Sequence, residues 1–277
     1  MKNALVSIIC CYRSTTAWEK VKAPLSVEPT DRIEFVGIDN RLNAHTLPEA
    51  YNKGKDQSNG EILVFVHDDV EFLNKEWVEE LRVILEDESI GIVGSAGGTA
   101  FFNSPCTWWF QVSGNRQLRN MQEVQVGHVR TFNDCNRAEE VVCLDGFLLM
   151  CRRSVLDSFR WSNTIGKWHG YDLDLCLSAK FEKNKRNIIF PTVFAQHASL
   201  GTIDENWGMS MISVWNKYEK ELGSFNDLYA STIALIKFVN WTHTYDKVGK
   251  ALFLSLKKRK RWLASLIVLG CYSKESV

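Results

Sequence analysis

The sequence predicts an α/β fold: a mostly parallel sheet flanked by helices, followed by a C-terminal helical extension. Three observations predict it. Short, β-branched apolar runs at residues 5–11, 33–38, 62–67 and 90–94 alternate with segments of helical periodicity. The run at 62–66 is apolar at five successive positions, as strands covered on both faces are. From Asn206 onward the chain reads mostly as helix.

Residues 5–11 form the first strand, and Ser14 or Thr15 can cap a helix through Trp18 and Val21. The second strand, 33–38, ends at Asp39-Asn40. Thr46 and Glu49 have capping-box spacing with Pro48 in the first turn, which predicts a helix over 47–57. The third strand, 62–67, runs into His67-Asp68-Asp69. Asn74 is expected to cap the next helix, whose Trp77, Val78, Leu81, Ile84 and Leu85 make an apolar stripe. Residues 90–94 give a short fourth strand, and the alternation implies right-handed crossovers. Residues 99–140 are irregular and cluster Trp108, Trp109 and Phe110, the pattern of a functional loop or a small side sheet. Regular structure returns as a strand over 141–151, interrupted at Asp145-Gly146, then a helix over 172–182 and a strand over 188–194. A main domain over 1–205, with halves meeting at residue 98, and an extension over 206–277 are expected.

Composition narrows the function classes. With 45% hydrophobic and 24% charged residues, the 277-residue chain is ordinary for a folded protein. Lys+Arg and Asp+Glu both number 33, so there is no basic excess for nucleic acid. The eight cysteines show no Cys-x-x-Cys spacing and several lie in apolar runs, as reduced, buried cytoplasmic thiols do; a zinc or disulfide framework is not expected. The first apolar run ends in Tyr12-Arg13-Ser14, so it reads as a strand rather than a signal peptide. No stretch reaches the roughly 18 apolar residues of a membrane span.

The most informative stretch is 62–72, where a buried strand delivers His67, Asp68 and Asp69 to its carboxyl end. Open α/β sheets bind ligands at the carboxyl ends of their strands. Adjacent carboxylates without a basic neighbour repel each other, and a hard cation such as Mg²⁺ or Mn²⁺ relieves the repulsion. The bland alternative is an acidic turn.

Taken in order, these features resemble the inverting GT-A glycosyltransferases of family 2, over roughly residues 3–200. The motifs are Val6-Ser7-Ile8-Ile9-Cys10-Cys11-Tyr12-Arg13, Asp39-Asn40, Asn52-Lys53-Gly54, His67-Asp68-Asp69, Leu144-Asp145-Gly146-Phe147, Gly170-Tyr171-Asp172-Leu173-Asp174-Leu175 and Gln196-His197-Ala198-Ser199. The resemblance implies a nucleotide-diphospho-sugar donor, bound by residues 1–98, and a carbohydrate or lipid-linked acceptor on the side of 99–205. It implies nucleotide contacts at Tyr12, Arg13, Asp39, Asn52, His67 and Asp68. Asp69 and His197 would hold Mg²⁺ or Mn²⁺, and Asp172 would be the base, since a sugar hydroxyl is a poor nucleophile until a carboxylate takes its proton. Gly146 would line the acceptor side, with Asp145 beside it near a sugar hydroxyl. The chain departs from the family twice: His67 stands where an Asp usually contacts the ribose, and Tyr171 replaces a Glu.

Each residue also has a plainer reading. Asp172 and Asp174 start a helix, where carboxylates serve as caps. His197 can be a structural histidine, Asp39-Asn40 a simple turn, and Trp108 and Trp109 either core or a stacking surface for a sugar. Trp168 and His169 flank the base motif and can simply shape a pocket. A nucleotidyltransferase and a non-catalytic carbohydrate-binding protein are the alternative functions; the segment after the first strand lacks the glycine-rich loop of the former.

Residues 247–261 hold seven Lys and Arg and no acid, with Val248, Leu252 and Leu256 at i, i+4 spacing and Trp262 and residues 263–269 following. This basic amphipathic segment can rest on an anionic membrane or pack on the main domain. Cytoplasmic localisation, peripheral at the inner face of the membrane, is the corresponding expectation.

Overall fold

The computed structural model describes residues 4–26, 32–125, 127–192, 194–198, 201–223 and 227–259, with 264, 268 and 271. Strand β1 (Val6–Tyr12) leads through α1 (Thr15–Lys22) to β2 (Ile33–Asp39), α2 (Leu47–Gln57) and β3 (Ile62–His67). A turn at Asp68-Asp69 separates β3 from β4 (Val70–Phe72), after which come α3 (Trp77–Ile84), β5 (Ile90–Gly94) and β6 (Ala96–Gly98). The hairpin β7 (Gln117–Gln125) and β8 (His128–Asn133) precedes three short strands, β9 (Glu139–Val141), β10 (Cys143–Leu144) and β11 (Leu148–Arg152). Then follow α4 (Tyr171–Leu177), β12 (Arg186–Ile189), β13 (Ala195–His197) and helices α5 (Glu205–Lys217), α6 (Glu219–Gly223), α7 (Leu228–Thr242) and α8 (Asp246–Lys258).

Seven strands form the main sheet in the order β2-β1-β3-β11-β5-β12-β9. β1 is parallel to β2 and β3, and β12 is parallel to β5. β11 lies antiparallel between β3 and β5, and β9 is antiparallel to β12. The antiparallel insertion has a simple origin. After β5 the chain enters a second sheet, β10-β6-β7-β13-β4 with β8 paired to β7. After adding β9 at the far edge of the main sheet and β10 to the second, the chain re-enters the main sheet between β3 and β5 in the opposite sense.

The central strands are covered on both faces: Ile8, Ile9, Cys10 and every residue from Ile62 to Val66 are fully buried. The expected capping box of α2 is present, with Thr46 Oγ1 accepting from Glu49 N–H and the Glu49 carboxylate accepting from Thr46 N–H. Ser14 caps α1 as expected.

Two expectations need correction. Asn74 does not cap α3: the helix starts at Trp77 after Glu76 with no side-chain cap, and buried Asn74 Oδ1 has no hydrogen-bond partner. The stripe it was meant to introduce is real, since Trp77, Val78, Leu81 and Leu85 are buried and Trp77 stacks between Phe72 and Phe194. The strand expected over 188–194 is β12, ending at Ile189, and a separate β13. The strand expected over 141–151 with an interruption at Asp145-Gly146 is found as β10 and β11 on either side of that interruption, with β9 ending at Val141.

Helices α5, α7 and α8 pack together. Gly208 lies so close to α8 that a Cβ there would meet Val248 at 2.9 Å. Val248, Leu252 and Leu256, the apolar stripe that could have met a membrane, are fully buried against the protein. Trp262 and most of 263–269 lie outside the described residues. Among the described residues no helix is long and apolar enough to cross a membrane. Seven cysteines are buried and free, and Cys271 is free and exposed.

Candidate active site

The two sheets meet where β3 ends. His67 is the last residue of β3, and its N–H donates to the Phe147 carbonyl at 3.0 Å, just ahead of β11. The turn then places Asp69 immediately before β4. β4 pairs antiparallel with β13, so that Val70 faces His197, and Ala198 N–H donates to the Asp69 carbonyl at 3.2 Å. This register brings together a carboxylate and an imidazole that are far apart in sequence. The Asp145 N–H donates to the Ala96 carbonyl at 2.8 Å, which sets the turn at Asp145-Gly146 beside them. α4 starts from Gly170, whose φ of +77° is a left-handed conformation that suits glycine, and carries Asp172 in its first turn.

His67, Asp145, Gly146, Asp172 and His197 thus line one cleft of about 440 Å³. Asp69 Oδ1 lies 3.4 Å from His197 Nε2 and 3.9 Å from His67 Nδ1. Asp69 Oδ1 and His197 Nε2 are both buried, and neither has a hydrogen-bond partner. Facing, desolvated and unsatisfied groups of this kind are costly unless something sits between them. The donor set of two imidazoles and a carboxylate, within 4.8 Å of one another, fits a divalent transition-metal cation. His197 is held flat against Phe147, with ring centroids 4.6 Å apart and planes 12° from parallel.

Electrostatics separate the two key carboxylates. Burial acts to raise the Asp69 pKa, but His197 and His67 outweigh it and hold the group at about 2. Burial raises Asp172 to about 7, with the charge of Asp145 adding to it and the facing N–H groups of Leu173, Asp172 and Gly146 opposing. Burial, then the neighbouring His197, pushes His67 below the usual imidazole range. One carboxylate is therefore kept ionised and the other is poised to accept a proton near neutral pH.

Other expected residues lie elsewhere. Asp68 accepts from the Arg13 N–H at 2.7 Å and pairs with its guanidinium at 2.7 Å, so it serves Arg13 and not the cation cluster. Arg13 lines a second hollow of about 510 Å³ with Asn43, His45, Thr46 and Lys167; Trp168 lines both cavities. Tyr12 stacks on Trp18 at 6.0 Å. Asp39 is exposed and engaged by Arg41, whose guanidinium and N–H hold its pKa at about 2. Asn52 is taken up with residue 161, accepting from the Trp161 N–H and donating to its carbonyl, which ties α2 to that loop. Asp174 is buried and bonded by Tyr218 Oη at 2.8 Å and Lys217 Nζ at 2.6 Å, a structural role.

The sequence reading passed over part of the cleft. Trp207 and Trp241, from α5 and α7, and Arg119 and Glu123, from β7, line it together with Trp108, Trp109 and Trp168. Half of the ten tryptophans therefore line one cavity, Trp108 and Trp207 from within the core and Trp168 and Trp241 exposed. Trp109 stacks on Trp207 at 6.1 Å and meets Trp241 edge-on at 5.6 Å, while Trp241 stays 51% exposed.

The architecture is that of the GT-A glycosyltransferases. S. aureus TarS residues 1–349, solved with UDP-GlcNAc, superposes with a TM-score of 0.54 at 14% identity, covering 93% of this chain and 81% of that one. GalNAc-T7, solved with UDP, GalNAc and Mn²⁺, gives 0.52 at 10% identity, over 86% of this chain and 54% of that one. The family model described as "Glycosyltransferase like family" matches residues 7–221, and the chain belongs to that family. The streptomycin biosynthesis protein StrF of Streptomyces griseus is 30% identical over 162 residues, 56% of this chain and 49% of StrF. The chain thus spans about half the length of that curated relative.

Proposed function

We propose that this cleft transfers a sugar from a nucleotide-diphosphate donor to an acceptor hydroxyl with inversion at the anomeric carbon. The observation that carries the reading is that one cleft is lined by His197, which faces the buried Asp69 carboxylate at 3.4 Å, and by Asp172, a carboxyl poised near pH 7. Asp172 takes the proton of the acceptor hydroxyl as its oxygen bonds to the sugar C1, and the bond from C1 to the diphosphate oxygen breaks on the opposite face. Asp69 and His197 would hold a divalent cation, which when bound would supply neutralisation of the leaving diphosphate. Asp145 lies beside Asp172 and is placed to accept from another sugar hydroxyl.

The nucleoside end is assigned to the second hollow near the carboxyl end of β1, where Asp68 orients Arg13. The acceptor is assigned to the aromatic wall at Trp241, which is 51% exposed and backed by Trp109 and the buried Trp207; an exposed indole suits the C–H face of a pyranose. A free carbohydrate and a lipid-linked one both fit that assignment, in polysaccharide or glycoconjugate synthesis. Exposed Lys250 and Lys258 of α8 support electrostatic contact with an anionic membrane surface, with the apolar stripe of that helix already buried.

Because TarS was solved with UDP-GlcNAc and GalNAc-T7 with UDP, UDP-sugars are the first donors to test. Wild-type protein with Mn²⁺ is expected to release UDP from one of them, slowly with water and faster with a saccharide acceptor. The Asp172→Asn variant is expected to bind UDP and release none from the donor. Turnover retained in that variant removes Asp172 from its role. Pyrophosphate released from a nucleoside triphosphate and a sugar phosphate identifies a nucleotidyltransferase instead.

A further inference from the structure

The two departures from the family pattern, His67 and Tyr171, touch each other. His67 Nε2 and Tyr171 Oη are 2.6 Å apart, although 104 residues separate them in sequence. We infer that His67 is a third protein ligand of the cation, oriented by Tyr171 as a positioning residue, and that the resulting site selects Mn²⁺ over Mg²⁺. The inference rests on the cation site of the proposed function and changes what that site is made of.

Geometry carries it. An imidazole has two ring nitrogens, and the phenol occupies one. The other, Nδ1, faces the same Asp69 Oδ1 that His197 Nε2 faces. At 3.9 Å, Nδ1 is too far from that oxygen for a hydrogen bond. If Nε2 carries the proton and donates to Tyr171 Oη, the Nδ1 lone pair points into the cluster. A metal-bound histidine is arranged in this way, its far N–H donated to an outer partner that fixes tautomer and ring orientation. A ribose contact would need a ring nitrogen facing the nucleotide, and both are committed elsewhere.

The phenol is built in. Tyr171 is 4% exposed, its carbonyl accepts from Trp161 Nε1 at 3.1 Å, and its ring meets Tyr51 edge-on at 5.7 Å. Gly146 makes room for it: a Cβ there would stand 2.1 Å from Tyr171 Oη and 2.5 Å from the ring. The glycine of the acceptor-side strand, the tyrosine in place of a glutamate and the histidine in place of an aspartate are therefore one linked unit. Its chemical consequence is a donor set of two nitrogens and one oxygen. Carboxylate and water ligands suit Mg²⁺, whereas imidazole shifts preference toward transition metals.

The test uses the full chain without nucleotide. Mn²⁺ is titrated by electron paramagnetic resonance of the free ion, Mg²⁺ by competition, and directly bound nitrogens are counted by electron spin echo modulation. Wild type is expected to show two coordinated nitrogens and to bind Mn²⁺ at least about tenfold more tightly than Mg²⁺. His67→Gln, which can still hydrogen-bond a ribose, is expected to show one nitrogen. Tyr171→Phe is expected to weaken Mn²⁺ by about 10- to 100-fold. Melting curves of both variants accompany the titration, and His67→Gln decides the question if Tyr171→Phe fails to fold. One nitrogen in wild type, or wild-type Mn²⁺ affinity in His67→Gln, overturns the inference and leaves the proposed function standing. No Mn²⁺ binding by wild type overturns both.

Discussion

Replacing Asp172 by Asn is expected to stabilise the protein, and only at neutral and alkaline pH. Burial, aided by Asp145, raises the Asp172 pKa from 3.8 to about 7. The native state therefore holds this proton more tightly than the unfolded chain does. Below about pH 4 both states are protonated and the group contributes nothing. As pH rises toward 7, the unfolded chain ionises freely while the native carboxyl resists, so stability falls, and above 7 the loss is complete. At about 1.36 kcal/mol per pH unit the displacement corresponds to roughly 4 kcal/mol. The carboxyl faces an open cleft, where solvent screens the charge, and about half of that is expected to survive, roughly 2 kcal/mol. For a chain of this size that is a Tm difference of about 4–8 °C. The assay is differential scanning calorimetry of wild type and Asp172→Asn from pH 4 to pH 8.5. The variant should match wild type near pH 4 and exceed it at pH 8. A Tm difference that does not change with pH, or one that favours wild type at pH 8, refutes the electrostatic account of this residue.

The same carboxyl must be ionised to act, so kcat/KM for transfer should rise with pH through about 7; a flat profile between pH 6 and 8 would contradict its role as base. Gly146→Ala, which drives a methyl into Tyr171, should cost about 1–3 kcal/mol by denaturant unfolding and weaken Mn²⁺, whereas the overpacking alone would leave the metal untouched. Asp174→Ala removes the acceptor of buried Tyr218 Oη and of Lys217; it should lower stability by about 1–3 kcal/mol while UDP binding stays as in wild type. Trp241→Ala should raise the acceptor KM and spare hydrolysis of the donor by water; an equal fall in both rates would place Trp241 outside the acceptor site.

What the sequence disclosed depended on distance along the chain. The capping box of α2 and the cap of α1 are local and were readable. β1 and β3 announced themselves because strands buried on both faces are almost wholly apolar, whereas β2, at the sheet edge, was legible only as a short apolar run broken by Glu34 and Gly37. The antiparallel placement of β11 was not readable, since it depends on where the second sheet returns the chain. The β7–β8 hairpin was foreseen only as a functional loop or a small side sheet over 99–140, because its residues are mostly polar and those of β8 mostly exposed. Within the candidate site, the motif order named Asp69, Asp172 and His197, and the fold sets His197 beside Asp69 and on one cleft with Asp172. The motif order could not show that Asp68 is committed to Arg13 or Asn52 to residue 161, since both partners lie far off in sequence. Trp207 and Trp241 carried no local sign of facing a cleft, because aromatic residues in late helices read as core. The pairing of His67 with Tyr171 is the sharpest case: two residues that weaken the family match when taken singly support each other across the fold.

The shared location of the cation site and the base is tested most directly by a crystal of the full chain soaked with MnCl₂ and UDP. An anomalous difference peak is expected between the Asp69 carboxylate and the His197 ring, with the diphosphate on it and the Asp172 carboxyl facing the same cleft. A manganese peak or a bound UDP elsewhere on the molecule, with the space between Asp69 and His197 empty, would contradict it.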